Sequence, residues 1–478
     1  MNDKIKVQFL KKTKIIATIS NNNCESDFLA SLYWAGMNII RLNTAHQTPE
    51  EALVVIKNIR AVSDRIAILI DTKGPEIRTT ESDGEVLVKT GDKLIVKGAK
   101  NKKMSSECIC VSYDDITKDV SVGNMLLIDD GEVELEVIVN NGEHLVCEVK
   151  NDGVIKGRKS VNVPSVKINL PSLTPKDIEF IRFAAQHNVD FIAHSFVRNK
   201  EDVLAVQKIL DEENSPIRII AKIENREGID NFDQILDHCY GIMVARGDLA
   251  IEIPTEQIPL LQKKLVQKCI EHRKPVIIAT QMLQSMIDSP RPTRAEVSDV
   301  ANACLDGTDA IMLSGETAFG KYPLESVQMM AKIAWEIGQG HETFIDAPYE
   351  TSQKVTSYLA KAAIKASLRL QTKAIVADSI SGNTIRSMAA FRGKNPIYAQ
   401  CYSKSLVRQL ALSYGIVPHF IEEDSTSHEF LKATLSRLLK EGRFGNDDLI
   451  TVLAGHFGPD SGASYIEIST ARNMLKRK

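Results

Sequence analysis

The sequence predicts an α/β fold, a TIM (β/α)8 barrel with an inserted antiparallel β-barrel lid domain and a C-terminal doubly wound α/β domain. Three observations predict it. First, eight short apolar runs end in polar or charged residues: KIIATIS from Lys14, NIIRLN from Asn38, AILIDTKG from Ala67, FIAHSF from Phe191, IRIIAKIEN from Ile217, GIMVARGD from Gly241, PVIIATQM from Pro275 and AIMLSGET from Ala310. Each has the length and Ile/Val/Ala content of a strand buried on both faces. Second, most runs are followed by a helix-length stretch, and eight strand-helix units close a parallel barrel. Third, the unit after the third run is replaced by residues 79–173, whose grammar is different. Short β-type runs alternate there with the turn signals Asp83-Gly84, Asp130-Gly131, Asn141-Gly142 and Asp152-Gly153, which is hairpin chemistry.

The expected boundaries are 1–78 and 174–342 for the barrel, 79–173 for the inserted β-domain and 343–478 for the C-terminal unit. An insertion in a loop on the C-terminal face of the barrel would sit over the active site as a lid. Helical spacing returns at Thr174, where Thr-Pro-Lys-Asp reads as an N-cap followed by Pro in the first turn. The helix LESVQMMAKIAWEIGQG ends the barrel, and HETFIDAPYETSQK is a turn-rich connection. Beyond it, helix VTSYLAKAAIKASLRL, strand TKAIVAD, a helix opened by SISGNTIRSMAAFRG, strand PIYAQC, helices around LVRQLALSYG and FLKATLSRLLKEG, and strand DLITVLAG make a doubly wound unit.

Bulk properties narrow the function. A hydrophobic content of 43% and a charged content of 25% are those of an ordinary globular protein. The net charge of -3 gives no reason to expect nucleic acid or an anionic membrane as a partner. No run spans a bilayer, and the N-terminus MNDKIKVQFLKKTK has no apolar h-region. The eight cysteines form no CxxC pair and no Cys/His cluster with zinc spacing. Reduced thiols and a cytoplasmic location are the expectation.

In a barrel the chemistry sits at the C-terminal strand ends. Lys222 and Glu224 lie two apart on strand five, so the pleat points both into the barrel mouth. An internal ion pair is the plain explanation, but a third charge, Asp248, converges from strand six, and burying three charges is costly unless a ligand or metal completes the set. Two carboxylates from neighbouring strands suit Mg²⁺, which takes one or two of them plus phosphate oxygens and water. Lys222 would then neutralise a transferring phosphoryl group. Arg41 and Asn43 repeat the spacing on strand two, where an arginine can clamp a phosphate bidentately. Asp71 and Thr72, with Asn43, offer oxygens for a second, monovalent cation, against ordinary loop hydrogen bonding. Arg246-Gly247-Asp248 opens a loop-helix junction whose free N–H groups can bind an anion. Thr280 and Glu316 are candidates for carrying protons near a reacting carbon, and His46 lies just past strand two. The composite points to metal-assisted phosphoryl transfer without a GxxxxGK[ST] loop and without protein-kinase signatures.

These residues fall in stretches that closely resemble the pyruvate kinase family: RLN-x-x-H (41–46), DTKGPEIR (71–78), GRKSVNVPS (157–165), AKIEN (221–225), ARGDL (245–249), ATQML (279–283) and PTRAEVSDVANACLDGTDAIMLSGETA (292–318). The resemblance runs essentially end to end. It implies a glycolytic enzyme that moves the phosphoryl group of phosphoenolpyruvate to ADP, with Mg²⁺ and K⁺ as cofactors and a dihedral homotetramer as the assembly. It also implies Glu224 and Asp248 as Mg²⁺ ligands, Lys222 as transition-state stabiliser, and Arg41, Gly247, Asp248 and Thr280 as phosphoenolpyruvate contacts. Asn43, Asp71 and Thr72 resemble the K⁺ ligands, and His46, Arg78 and Lys159 the nucleotide contacts.

The sequence departs from the family at three places. Thr44-Ala45-His46-Gln47 stands where Phe-Ser-His-Gly is usual, so Ala45 removes a K⁺-ligating hydroxyl, while Glu76 matches the K⁺-dependent members. Ser20-Asn21-Asn22 replaces a Gly-Pro turn, and Ala250 replaces a glycine. In the C-terminal unit, Ser379-Ile380-Ser381-Gly382-Asn383-Thr384 and Gly455-His456-Phe457-Gly458-Pro459 resemble phosphate loops for a sugar-phosphate or nucleotide effector. Two other readings compete: a catalytically weak metabolite sensor, against which the intact Lys222, Glu224, Asp248 and Thr280 argue, and a Mg²⁺-dependent lyase acting on pyruvate enolates, for which the lid and Arg78 would have no purpose.

Overall fold

The structure is a computed structural model that describes residues 11–340, 344–348, 354–421, 427–455 and 463–476. Its centre is a closed eight-stranded parallel barrel. The strands are β1 (Lys14–Thr18), β2 (Ile39–Asn43), β3 (Ala67–Asp71), β4 (Phe191–His194), β5 (Arg218–Ile223), β6 (Gly241–Ala245), β7 (Val276–Ala279) and β8 (Ala310–Leu313). Each pairs with its neighbours in parallel, and β1 closes the ring against β8.

The pleat divides the strand residues between two cores. Ile16, Ile39, Leu69, Ala193, Ile220, Met243, Ile277 and Met312 fill the barrel interior, while Ile15, Ile40, Ile68, Ile192, Ile219, Ile242, Ile278 and Ile311 face the surrounding helices. Alternate residues therefore share a side, and this parity aims the polar residues at the strand ends. Helix starts are fixed locally. Thr48, Thr174 and Thr293 each form a capping box with the residue three further on, and proline follows the cap at Pro49 and Pro175.

Between β3 and β4 the chain forms a separate β-unit with its own core around Ile109, Leu126, Leu135, Val137 and Cys147. It holds a six-stranded sheet and a two-stranded ribbon, Val86–Val88 against Gly153–Ile155. One pair departs from the antiparallel expectation: Lys93–Gly98 runs parallel to Cys108–Val111. The intervening residues 99–107 can span about 30 Å, enough to bring the chain back to the same end of the sheet.

The C-terminal sheet has the order β11-β10-β9-β12-β13, from β9 (Ala374–Ser379), β10 (Ile397–Cys401), β11 (Ile416–Phe420), β12 (Leu449–Gly455) and β13 (Ala463–Thr470). β11 and the antiparallel edge β13 were not foreseen. Pro418 sits within β11, on an edge where a missing N–H is tolerated. Of the connection 341–354, only 344–348 and Lys354 are described. The eight cysteines are all free, and no helix among the described residues is long and apolar enough to cross a membrane.

The C-terminal unit is pinned to the N-terminal end of the barrel. Ala411 and Leu412 pack onto the barrel interior. Arg392 reaches Asp309 at 2.7 Å with both side chains buried, and Asp309 also accepts the N–H groups of Val276 and Tyr414. Asp190 takes Arg408 at 2.6 Å and Arg60 at 3.2 Å. Lys14 donates to the Ile416 carbonyl at 2.6 Å, and burial, with Arg65 nearby, lowers its pKa to about 7 against the opposing pull of Asp309.

Two outcomes are expected. Arg392→Met strands a buried carboxylate and should cost about 3–5 kcal/mol in urea unfolding. The neutral form of Lys14 is favoured by folding, so between pH 7 and 10 the unfolded chain binds more protons and this group contributes stability as pH rises. A Lys14→Met variant should therefore lose ground to the wild type over that window, by up to about 1.4 kcal/mol per pH unit, in thermal melts across the pH series.

Candidate active site

Interior parity carries through to the strand ends. On β5, Lys222 follows Ile220 on the inner side, and on β2, Arg41 follows Ile39. On β3 the inner residue after Leu69 is Asp71. The three meet: Arg41 Nε lies 2.6 Å from Asp71 Oδ2, and Lys222 Nζ lies 3.0 Å from Asp71 Oδ1 and 2.9 Å from Glu224 Oε1. Arg41 also donates to Thr18 Oγ1 at 3.1 Å. The second oxygen of Glu224 accepts the Phe196 N–H at 2.7 Å.

Ser195, which the sequence reading overlooked, ties these groups together. It accepts from Lys222 Nζ at 2.7 Å, donates to the Thr72 carbonyl at 2.7 Å, and lies 3.2 Å from Asp71 Oδ1. Its signal was its inner parity after Ala193, in the same register as the residues already chosen. Gly74 makes room for it: with φ +69, a Cβ there would come within 2.9 Å of Ser195 and Phe196.

The charges do not balance. Among the described residues, Asp71, Glu224 and Asp248 stand against two cations, Arg41 and Lys222. Burial would depress the Lys222 ammonium, but Asp71 and Glu224 override it and hold its pKa above the ordinary value. Burial raises Glu224 to about 7; Lys222 opposes that, while Asp248 and Asp71 add to it. Lys222 and Glu224 both move up because one ammonium is shared among several carboxylates. Burial also raises Asp248, with help from Asp130 and Asp71. Among the described residues no group of three or more His, Cys, Asp or Glu could hold a metal ion. The donor set instead fits a hard divalent ion held by two carboxylates and completed by substrate and water.

Gly247 and Asp248 open the short helix Arg246–Glu252 at the end of β6. The Gly247 N–H donates to Thr280 Oγ1 at 2.7 Å, and that hydroxyl donates to the Ala279 carbonyl at 2.7 Å. Thr280 (φ 67) and Gln281 (φ 55) are both left-handed, an outlying conformation for a β-branched residue and of the kind found at functional sites. Buried Arg246 holds it by donating to the Thr280 carbonyl at 2.9 Å and to Asp299 at 2.7 Å. A Cβ at Gly247 would press to 3.3 Å of Thr280 Oγ1. Ala250 needs no glycine, since its φ is not positive.

Asn43 lies opposite Asp71 in the β2/β3 register, but its Oδ1 accepts the Ala45 N–H at 3.1 Å. Thr72 Oγ1 accepts the Ser195 N–H at 3.0 Å. On the lid side, Arg78 pairs with Glu76 at 2.8 Å and donates to the Arg158 carbonyl at 2.6 Å, and Lys159 pairs with Asp129 at 2.8 Å. His46 is exposed past β2 and makes no side-chain hydrogen bond to either among the described residues. A cavity of about 540 Å³ runs between lid and barrel, lined by Glu76, Asp130, Ser160, Phe196 and Asp248 among others. Asp130, read from sequence only as a turn residue, thus shares this cavity with Asp248.

Glu316 has a different setting from the proton relay expected of it. It is buried, and its oxygens accept the Leu283 N–H at 3.1 Å and the Ser314 N–H at 2.8 Å. That clamps the loops after β7 and β8 together. In the C-terminal loop, Ser379 Oγ accepts the Gly382 N–H at 2.8 Å, Ser381 Oγ accepts the Asn383 N–H at 3.4 Å, and Thr384 lies in the helix Asn383–Ala390. The second loop lies outside the described residues after Gly455.

Comparison with known proteins agrees with the fold. A family model for the pyruvate kinase barrel domain matches residues 10–327, and one for the pyruvate kinase alpha/beta domain matches 357–468. A pyruvate kinase of Borreliella burgdorferi is 46% identical over 98% of both chains. One of Bacillus licheniformis is 44% identical over 98% of this chain and 82% of its own. The crystal structure of a pyruvate kinase from Cryptosporidium parvum superposes with a TM-score of 0.91 at 34% identity, covering 98% of each chain. The chain belongs to the pyruvate kinase family.

Proposed function

We propose that this chain is an active cytoplasmic pyruvate kinase, transferring the phosphoryl group of phosphoenolpyruvate to ADP. The single observation that supports it most is the buried set of Lys222, Arg41, Asp71 and Glu224, with Asp248 beside it. Glu224 and Asp248 would hold Mg²⁺, which would supply charge neutralisation at the phosphoryl oxygens. Arg41, steered by Asp71 and Thr18, grips the substrate phosphate. The first amides of the Arg246–Glu252 helix receive the substrate carboxylate. An ADP β-phosphate oxygen attacks phosphorus, and Lys222 stabilises the charge that develops on the transferring group. Enolpyruvate leaves and takes a proton at its methylene carbon through the Thr280 hydroxyl, which must turn from the Ala279 carbonyl to deliver it. Glu316 keeps the Thr280 loop in place. Arg78 and Lys159 hold the nucleotide as the lid closes, with His46 at the rim.

Asn43, Asp71 and Thr72 would hold K⁺ in this reading, with one hydroxyl fewer because of Ala45. The assembly is a homotetramer, and the Ser379–Thr384 loop takes a phosphorylated effector.

Pyruvate formation from phosphoenolpyruvate should require ADP and Mg²⁺, and Lys222→Met should lower kcat by about a hundredfold or more while leaving the fold intact. ADP-independent pyruvate release, or an unimpaired Lys222→Met, would overturn the assignment. Rates should rise from Na⁺ to K⁺ buffer with weak half-saturation; equal rates in the two buffers would remove K⁺ from the site.

A further inference from the structure

At the end of the barrel away from the active-site mouth, a cavity of about 30 Å³ lies beside the starts of β1, β2 and β3. Lys14 opens β1, Asn38 precedes β2 and Arg65 precedes β3, so the parallel strands bring the three to one rim. Lys11 enters just before β1 and Tyr33 from the helix Ser26–Ala35, while Ala411, Ile416, Val417 and Pro418 close the far side. A space this small has room for roughly two waters or a carboxylate group, and not for a metabolite.

The lining carries charge of one sign. Lys11, Lys14 and Arg65 border the cavity and no acidic side chain does. Lys11 and Lys14 are both buried, yet among the described residues no carboxylate lies within ion-pair distance of either. The other buried cations of this junction differ, since Arg392 has Asp309 and Arg408 has Asp190. Lys11 donates to Asn38 Oδ1, Lys14 to the Ile416 carbonyl at 2.6 Å, and Arg65 to the Pro418 carbonyl at 2.8 Å. The oxygens that hold the two lysines are neutral, so the cavity keeps an excess of positive charge that burial makes costly. Burial, with Lys14 adding to it, lowers Lys11, and burial brings Lys14 itself to about 7. A desolvated lysine beside other cations is an amine nucleophile at neutral pH.

We propose that Lys14 is a carbamylation site, whose amine takes up carbon dioxide and places the new carboxylate in this cavity, against Lys11 and Arg65. The amine lone pair forms the bond to the CO₂ carbon, one C–O π bond opens to give the carboxylate, and an amine proton passes to water. The step needs no oxidant and no metal. The remaining carbamate N–H can still donate to the Ile416 carbonyl, so the contact with β11 is kept. Two cations then face one anion where three cations stood together. The modification uses no residue of the active-site mouth and stands or falls apart from the proposed reaction.

The test is site-resolved trapping on the full chain. The protein is equilibrated at neutral pH with isotopically labelled CO₂, or kept free of CO₂, and treated with triethyloxonium tetrafluoroborate. That reagent alkylates a carbamate to a stable ethyl carbamate, which mass spectrometry of the peptides then locates. The labelled adduct should appear on Lys14 in the CO₂ arm only. Its yield should fall at least about tenfold in Arg65→Met, as expected for losing a charged hydrogen bond. No adduct on Lys14, an adduct on Lys11 in its place, or an equal yield on the exposed Lys118 would overturn the proposal. So would an unchanged yield in folded Arg65→Met. Should that variant unfold, the wild-type yields at Lys14 and Lys118 decide alone.

Discussion

Three carboxylates share two cations at the mouth of this barrel, and the active-site architecture turns on that imbalance. Asp71 is satisfied, with Arg41 and Lys222 both on it. Glu224 shares Lys222 with Asp71, Asp248 has no cation within ion-pair distance among the described residues, and burial pushes both toward the protonated form. A protein that needed only an internal ion pair would be more stable with a neutral, well-packed set. The surplus negative charge is useful only if a positive ligand arrives. That is the physical ground for the proposed divalent ion, and it explains why Lys222 stays charged despite burial.

Much of this site was legible in the sequence because a barrel strand is a ruler with a period of two. Once the apolar runs were placed, Arg41, Asp71, Lys222 and Glu224 followed by parity, and the structure brings them within 3.0 Å of one another in a chain of contacts. Parity also marks Ser195, but a serine carries no charge to draw attention to it. Glu316 shows the opposite failure. It has the right residue type near a strand end, yet its oxygens are taken by backbone amides, which no spacing reveals. The left-handed backbone at Thr280 was equally hidden, since the sequence has threonine where a glycine would have signalled positive φ. Beyond the barrel, the edge strand β13 and the proline-bearing β11 escaped because edge strands need less apolar content, and the parallel lid pair because hairpin turns suggest antiparallel neighbours.

The two ends of the barrel are built by different rules. At the C-terminal end charges are left in surplus; at the N-terminal end most are matched and buried, as with Asp309 and Arg392 or Asp190 and Arg408. Those pairs join the C-terminal unit to the strand starts, so a shift of that unit would be felt at the barrel floor. Lys14 takes part in the same junction through the Ile416 carbonyl. The lid, in contrast, meets the barrel mouth across an open cavity that Asp130 and Asp248 both line. The chain leaving β3 toward the inserted unit is anchored by the Lys73 N–H donating to Asp177, the same carboxylate that caps the helix Pro175–Gln186.

Manganese titration followed by electron paramagnetic resonance measures the surplus charge directly. Glu224→Gln and Asp248→Asn each remove one negative charge without changing side-chain size much. The account predicts one Mn²⁺ bound per wild-type chain, weakened at least about tenfold in either variant. Equal Mn²⁺ affinity in all three proteins would contradict it.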